Sequence, residues 1–93
     1  MELKTTFWQD FSIADRFGLE AIQDTYNRAF ASWKNDTEYL TELVMVLNWK
    51  IFDWYEKNDS YAELYNDLWG KADSYAMDNL KGSELKYFLK MTD

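Results

Sequence analysis

Pairs of carboxylates at helical spacing are the residues of this chain whose types and positions could do chemistry. Residues three or four positions apart lie on the same side of a helix. Two carboxylates held together in this way can ligate metal ions, as in di-iron bundles, or divide the acid and base steps of glycoside hydrolysis. Four such pairs occur: Glu20 with Asp24, Glu38 with Glu42, Asp53 with Glu56, and Glu63 with Asp67.

The composition argues against both chemistries. The chain has no histidine and no cysteine, whereas a di-iron bundle uses Glu-x-x-His motifs and most neutral-pH proton transfer uses histidine. It also has no glycine-rich phosphate loop and no nucleophile elbow. We therefore predict no catalytic residue, no metal site and no cofactor, and a protein that is not an enzyme.

The elements that must position these carboxylates are helices. Apolar residues recur at helical spacing in residues 19–34, 38–57 and 60–80, and a shorter segment follows near 84–90. The middle segment has a core face that includes Leu40, Leu43 and Leu47. The first segment has an apolar stripe that runs from Leu19 to Trp33.

Capping residues mark two of the helix starts. Ser60 and Glu63 form a capping box, in which the serine accepts from a free amide and the glutamate reaches back. Residues 35–38 offer a similar start for the middle helix. Ninety-three residues have room for one core. The chain is predicted to be a single all-α domain over residues 1–93, a three-helix bundle with a short C-terminal fourth helix and an N-terminal arm.

The arm covers residues 1–11. Leu3, Phe7 and Phe11 are separated by even spacings, so this segment could be extended. A lone strand is unstable in water. We therefore expect the arm to pack across the bundle, with strand pairing to another chain as the alternative.

The middle helix has a second face that is acidic and aromatic at once. A solvated face does not normally carry three large apolar side chains, and a core face does not carry several carboxylates. Three interpretations remain open: the arm or the last helix covers the apolar members, the face is a homodimer seam, or it binds another protein. The face consists of Glu38, Glu42, Met45, Trp49, Phe52, Asp53 and Glu56.

Acidic residues outnumber basic ones by 17 to 10, which gives a formal net charge of -7. Such a surface repels nucleic acids and anionic membranes at long range, so we expect neither as a direct partner. No apolar run is long enough to span a membrane or to form a signal peptide, and a cytoplasmic location is predicted. Four acids form a row around the second interhelical turn that could occupy a cationic groove built for DNA or RNA: Glu56, Asp59, Glu63 and Asp67.

Three runs of sequence carry a resemblance to known proteins: TFWQDFSIADRFG at 6–18, TELVMVLNWK at 41–50 and ELKYFL at 84–89. In these runs the chain resembles short proteins carried by phages and conjugative elements of Gram-positive bacteria. Small acidic helical proteins of such elements include anti-CRISPR and antirestriction inhibitors, some of which mimic DNA. The resemblance implies an inhibitor of a host defence protein, and it transfers no functional residue.

The leading hypothesis from the sequence is a non-enzymatic inhibitor that binds a CRISPR effector or another nucleic-acid-binding defence protein. The alternative is a helical structural or adaptor module, homodimeric in one version, with no role directed at nucleic acids. The predicted partner-binding residues combine the second face of the middle helix with the acidic row: Glu38, Glu42, Met45, Trp49, Phe52, Asp53, Glu56, Asp59, Glu63 and Asp67.

Overall fold

A computed structural model describes residues 2–93, and this part of the chain is all-helical with no strand. The prediction of an all-α fold is therefore confirmed. The helices are α1 (Phe7–Ala14), α2 (Leu19–Trp33), α3 (Thr37–Trp54), α4 (Asp59–Asn79) and α5 (Gly82–Thr92). None of them is long and apolar enough to cross a membrane.

The predicted N-terminal arm requires correction, because the segment from Phe7 onward is helical. Phe7, Phe11 and Ala14 all point into the core from α1. The four-residue step from Phe7 to Phe11 fits a helix as well as a strand, since both periods bring such residues to one face. Residues 2–6 have no regular structure, and Leu3 contacts the core from this segment.

Side-chain caps set the starts of α3 and α4. Asp36 accepts a hydrogen bond from the backbone amide of Tyr39 at 3.0 Å, as the sequence predicts for this boundary. At α4 the prediction of Ser60 as the cap is wrong. Asn58 has an extended backbone, and its side chain accepts from the amide of Tyr61 at 3.1 Å, so α4 begins before Ser60.

The middle helix α3 packs against each of the other four helices. Every residue from Leu40 to Leu47 is buried, including the polar Thr41 and Glu42. Thr41 is accommodated because its hydroxyl donates to the carbonyl of Thr37 at 2.6 Å. The core therefore surrounds α3, and the remaining helices are positioned by their contacts with it.

Two residues of the predicted α2 core stripe are more exposed than expected. Leu19 is 43% exposed and Trp33 is 38% exposed, whereas Ile22 and Tyr26 are buried. Leu19 and Trp33 are the first and last residues of α2. A stripe is covered only where a neighbouring helix runs alongside it, so residues at the helix ends remain partly open.

Candidate functional site

The predicted binding face of α3 divides into a covered half and an open half. In the covered half Glu42 is only 7% exposed, and its carboxylate faces the segment that precedes α1. Its Oε1 accepts from the backbone amides of Lys4 and Thr5, both at 3.0 Å, and from the Thr5 hydroxyl at 2.8 Å. The prediction of Glu42 as a surface acid is therefore wrong, because its charge is used to bind backbone amides.

The apolar residues of the same half are covered to different degrees, since Trp49 remains 39% exposed. Met45 is buried, and the Trp49 ring packs edge-on against Trp8 of α1, with 6.5 Å between the ring centroids. Glu38 remains exposed and forms an ion pair with Lys4. The N-terminal segment and α1 thus cover Glu42 and part of the Trp49 ring, so the first of the three interpretations left open by the sequence holds only for part of the face.

The open half lies at the C-terminal end of α3. Phe52 is 70% exposed and Tyr55 is 64% exposed. Tyr55 ends α3, and Glu56 follows it with a positive φ of 69°. This left-handed conformation strains any residue with a Cβ and normally favours glycine, at a cost of about 1 kcal/mol for other residues.

The acidic row continues from this turn into α4, and its four members are exposed. Asp67 is paired with Lys71, with 3.2 Å between Oδ2 and Nζ. Asp53 precedes the row. Its carboxylate oxygens lie 3.7 Å from Nζ of Lys50 and 3.8 Å from Nζ of Lys57. Its charge is therefore offset by two lysines.

Within the described residues 2–93, the other three acids of the row have no lysine or arginine nitrogen within 4.0 Å of their carboxylates. They leave an uncompensated negative charge close in sequence to two exposed rings. We define the turn surface as Phe52, Tyr55, Glu56, Asp59 and Glu63. No group of three or more metal-ligating side chains occurs in the described part of the chain.

A second polar cluster, which sequence reasoning missed, lies inside the bundle. Lys50 is only 1% exposed although it is a lysine in the middle of α3. Its Nζ donates to the carboxylate of Asp15 at 2.8 Å and to the hydroxyl of Ser12 at 2.8 Å. The same Nζ lies 4.1 Å from the ring centroid of Trp8, which is a cation–π contact.

Two tyrosines of α4 complete this cluster. The Tyr65 hydroxyl donates to Oδ1 of Asp15 at 2.5 Å, and the Tyr61 hydroxyl donates to the Asp15 backbone carbonyl at 3.0 Å. Burial, together with the neighbouring Asp15 carboxylate, raises the pKa of Tyr65 well above its ordinary value. Asp15 therefore connects α1 to α3 through Lys50 and to α4 through the tyrosines.

The contact between Ser12 and Lys50 has the residue types of a serine–lysine catalytic pair. A lysine can take the serine proton only when its amine is neutral. Here Lys50 forms a buried ion pair with Asp15, in which the lysine charge balances the carboxylate. The pair therefore fits a structural connection between helices rather than an activated nucleophile.

The sequence contains a pattern that indicates the burial of Lys50. It follows Leu43 by seven residues and Leu47 by three, so it falls on the apolar face of α3. A charged residue on a core face requires a partner, because an unpaired buried charge is strongly destabilising. Asp15 could not be identified as that partner, since it lies in a segment not predicted to be helical.

Comparisons of this chain with protein-family models, with curated proteins and with solved structures found no match.

Replacement of Lys50 by methionine is expected to lower the free energy of unfolding by about 3 to 5 kcal/mol, because it leaves the Asp15 carboxylate buried without its cation. The matched control Lys57→Met, at an exposed partner of Asp53, should change it by less than about 0.5 kcal/mol. Urea denaturation followed by circular dichroism measures both.

The double variant Lys50→Met with Asp15→Asn should recover much of the loss, since the buried charge is then removed and Tyr65 keeps a hydrogen-bond acceptor. A Lys50→Met protein as stable as the Lys57→Met protein would show that water reaches Asp15 and that the cluster does not fasten α1.

Proposed function

We propose that this chain is a non-enzymatic, cytoplasmic protein-binding protein that inhibits a nucleic-acid-binding defence protein, such as a CRISPR effector, by occupying its cationic groove. The turn surface is the proposed contact. The observation that carries the proposal is the occurrence of three exposed, uncompensated carboxylates and two exposed aromatic rings within residues 52–63, around the turn from α3 to α4. Exposed aromatic side chains next to charged ones are typical of protein interfaces.

The arrangement of the acids supports a cationic partner. Asp59, Glu63 and Asp67 follow one another at four-residue intervals on α4, which corresponds to a rise of about 6 Å between successive carboxylates. A groove that binds nucleic acid presents lysine and arginine side chains to a regular row of phosphates. A rigid row of carboxylates can engage the same cations, and negative charge at this position also steers the encounter.

The backbone at Glu56 gives a second reason to assign the turn a function. A glutamate occupies a left-handed position where glycine would relieve strain. Strained residues persist where the side chain has a use that outweighs its conformational cost. Within residues 2–93 the Glu56 carboxylate has no lysine or arginine nitrogen within 4.0 Å, so binding of a partner is the use we propose.

The first test compares which host proteins the chain retains before and after the charge of the turn surface is reversed. When the chain is immobilised and mixed with a lysate of susceptible host cells, it should retain a host protein that binds nucleic acid. Excess duplex DNA should release that host protein. The triple variant Glu56→Lys, Asp59→Lys, Glu63→Lys should lose this protein, because it repels a cationic groove. The control triple Glu2→Lys, Asp78→Lys, Asp93→Lys has the same net charge and should retain it.

The matched net charge separates local binding from a general electrostatic effect, and circular dichroism verifies that both triples fold. A retained protein that duplex DNA does not displace, and that both triples bind equally, would instead support the helical adaptor.

A second prediction concerns Glu56 alone. Glu56→Gly should raise the free energy of unfolding by about 0.5 to 1 kcal/mol, because it removes a Cβ from a left-handed position. The same change should slow association with the retained partner, most clearly at low salt, since a steering charge is lost. Denaturant unfolding and surface plasmon resonance measure the two effects.

The control Glu56→Gln removes the charge and keeps the strain. It should slow association as much as Glu56→Gly does while leaving stability nearly unchanged. Association that is unaffected by either variant would remove Glu56 from the binding surface.

A further inference from the structure

A groove of about 500 Å³ lies between α1 and α2, away from the residues of the turn surface. Its walls carry large apolar side chains that are open to solvent: Phe17 is 76% exposed, Ile13 is 57% exposed and Trp33 is 38% exposed. Phe17 is the most exposed of the large apolar residues in the described part of the chain. Such a groove is typical of a surface that another helix covers.

The α2 side of the groove is lined mainly by short side chains. Ala21, Ala29 and Ser32 have little bulk. The Thr25 hydroxyl donates to the backbone carbonyl of Ala21 at 2.8 Å, so its polar group is satisfied within α2 itself. Short side chains on a helix face permit close approach of a second helix.

Two groups of opposite charge lie on this same face of α2. Asp24 and Arg28 both line the groove and are one helical turn apart. Within residues 2–93 neither of them forms an ion pair at 4.0 Å or less. Asp10 of α1 also lines the groove, so its charged side chains are two acids and one base. The Asp24–Arg28 pair on α2 is complementary to a reversed copy of itself.

The facing residues of two antiparallel α2 helices are complementary in size and in charge. In an antiparallel pair of identical helices related by a twofold axis, residues equidistant from the axis face each other. An axis at the midpoint between Tyr26 and Asn27 places at least one short side chain in each facing pair: Ala21 with Ser32, Thr25 with Arg28, and Asp24 with Ala29. Arg28 of each copy then lies next to Thr25 and Asp24 of the other, so two symmetric ion pairs form.

The apolar walls fit the same arrangement. Phe17 precedes the first residue of α2 and Trp33 is its last residue, so they lie at opposite ends of the groove. An antiparallel pairing brings the Phe17 end of each copy against the Trp33 end of the other. The exposed rings of both copies then become covered.

We propose that the α1–α2 groove is a homodimer interface in which α2 of each copy packs antiparallel to α2 of the other, with Arg28 paired to Asp24 across the twofold axis. The inference does not rest on the proposed function, since it uses none of the turn residues. A dimer assembled through this groove carries two turn surfaces.

Sedimentation velocity over a range of concentrations tests the proposal. The unmodified chain should sediment with twice the mass of one chain at high concentration and dissociate on dilution. Arg28→Asp should weaken the dimer about 10-fold or more, because it places like charges in both symmetric contacts, and Asp24→Arg should do the same. The double variant Asp24→Arg with Arg28→Asp exchanges the charges and should restore the dimer.

Rescue by the double variant requires the two residues to meet across the interface, so a purely structural effect of either substitution would not produce it. Circular dichroism establishes that each variant folds. The triple reversal of the turn surface serves as a control and should still dimerise. A chain that remains monomeric at millimolar concentration, or a dimer that both single variants leave unchanged, would overturn the proposal.

Discussion

The buried ion pair between Lys50 and Asp15 is the interaction on which the rest of the structure depends. It joins α1 to α3, and the hydrogen bond from Tyr65 extends the connection to α4. A buried ion pair is not by itself a source of large net stability, because desolvation offsets most of the attraction. The ion pair nevertheless requires its two side chains to meet, because either charge left alone in the core is strongly unfavourable. The pair therefore fixes where α1 packs, and α1 in turn forms one wall of the groove that it shares with α2.

Glu42 holds the chain before α1 in a comparable way. Its carboxylate binds two backbone amides and a hydroxyl of Lys4 and Thr5, so a segment without helical structure is still attached to α3. Five of the acids thus show two different uses. Asp15 and Glu42 are used inside the fold, whereas Glu56, Asp59 and Glu63 are left free at the turn surface. The two buried carboxylates cannot reach a partner, and the proposed function depends on the three free ones.

Sequence periodicity was sufficient for the helices that enclose the core and insufficient for the polar contacts between them. Leu40, Leu43 and Leu47 were identified correctly because a buried helix face repeats its apolar residues at a fixed spacing. The helix at Phe7–Ala14 was missed because a four-residue step fits a strand as well. Glu42 was misassigned because carboxylates are usually solvated, and its partners are backbone amides, which have no sequence signature. The exposure of Phe52, Tyr55 and Glu56 depends on where α3 ends, and helix ends are the least predictable feature of a sequence.

Amide hydrogen exchange of Lys4 and Thr5, measured by NMR, tests most directly whether Glu42 is used inside the fold and not at the surface with the free acids. Neither residue lies in a helix, so nothing in regular secondary structure would protect its amide. If Glu42 binds both amides in the interior, they exchange much more slowly than the amide of Glu2 and become fast in a Glu42→Ala variant. Exchange at the rate of an unstructured segment in the unmodified chain would contradict this account. The Glu42 carboxylate would then belong with the surface acids, and the N-terminal segment would not cover α3.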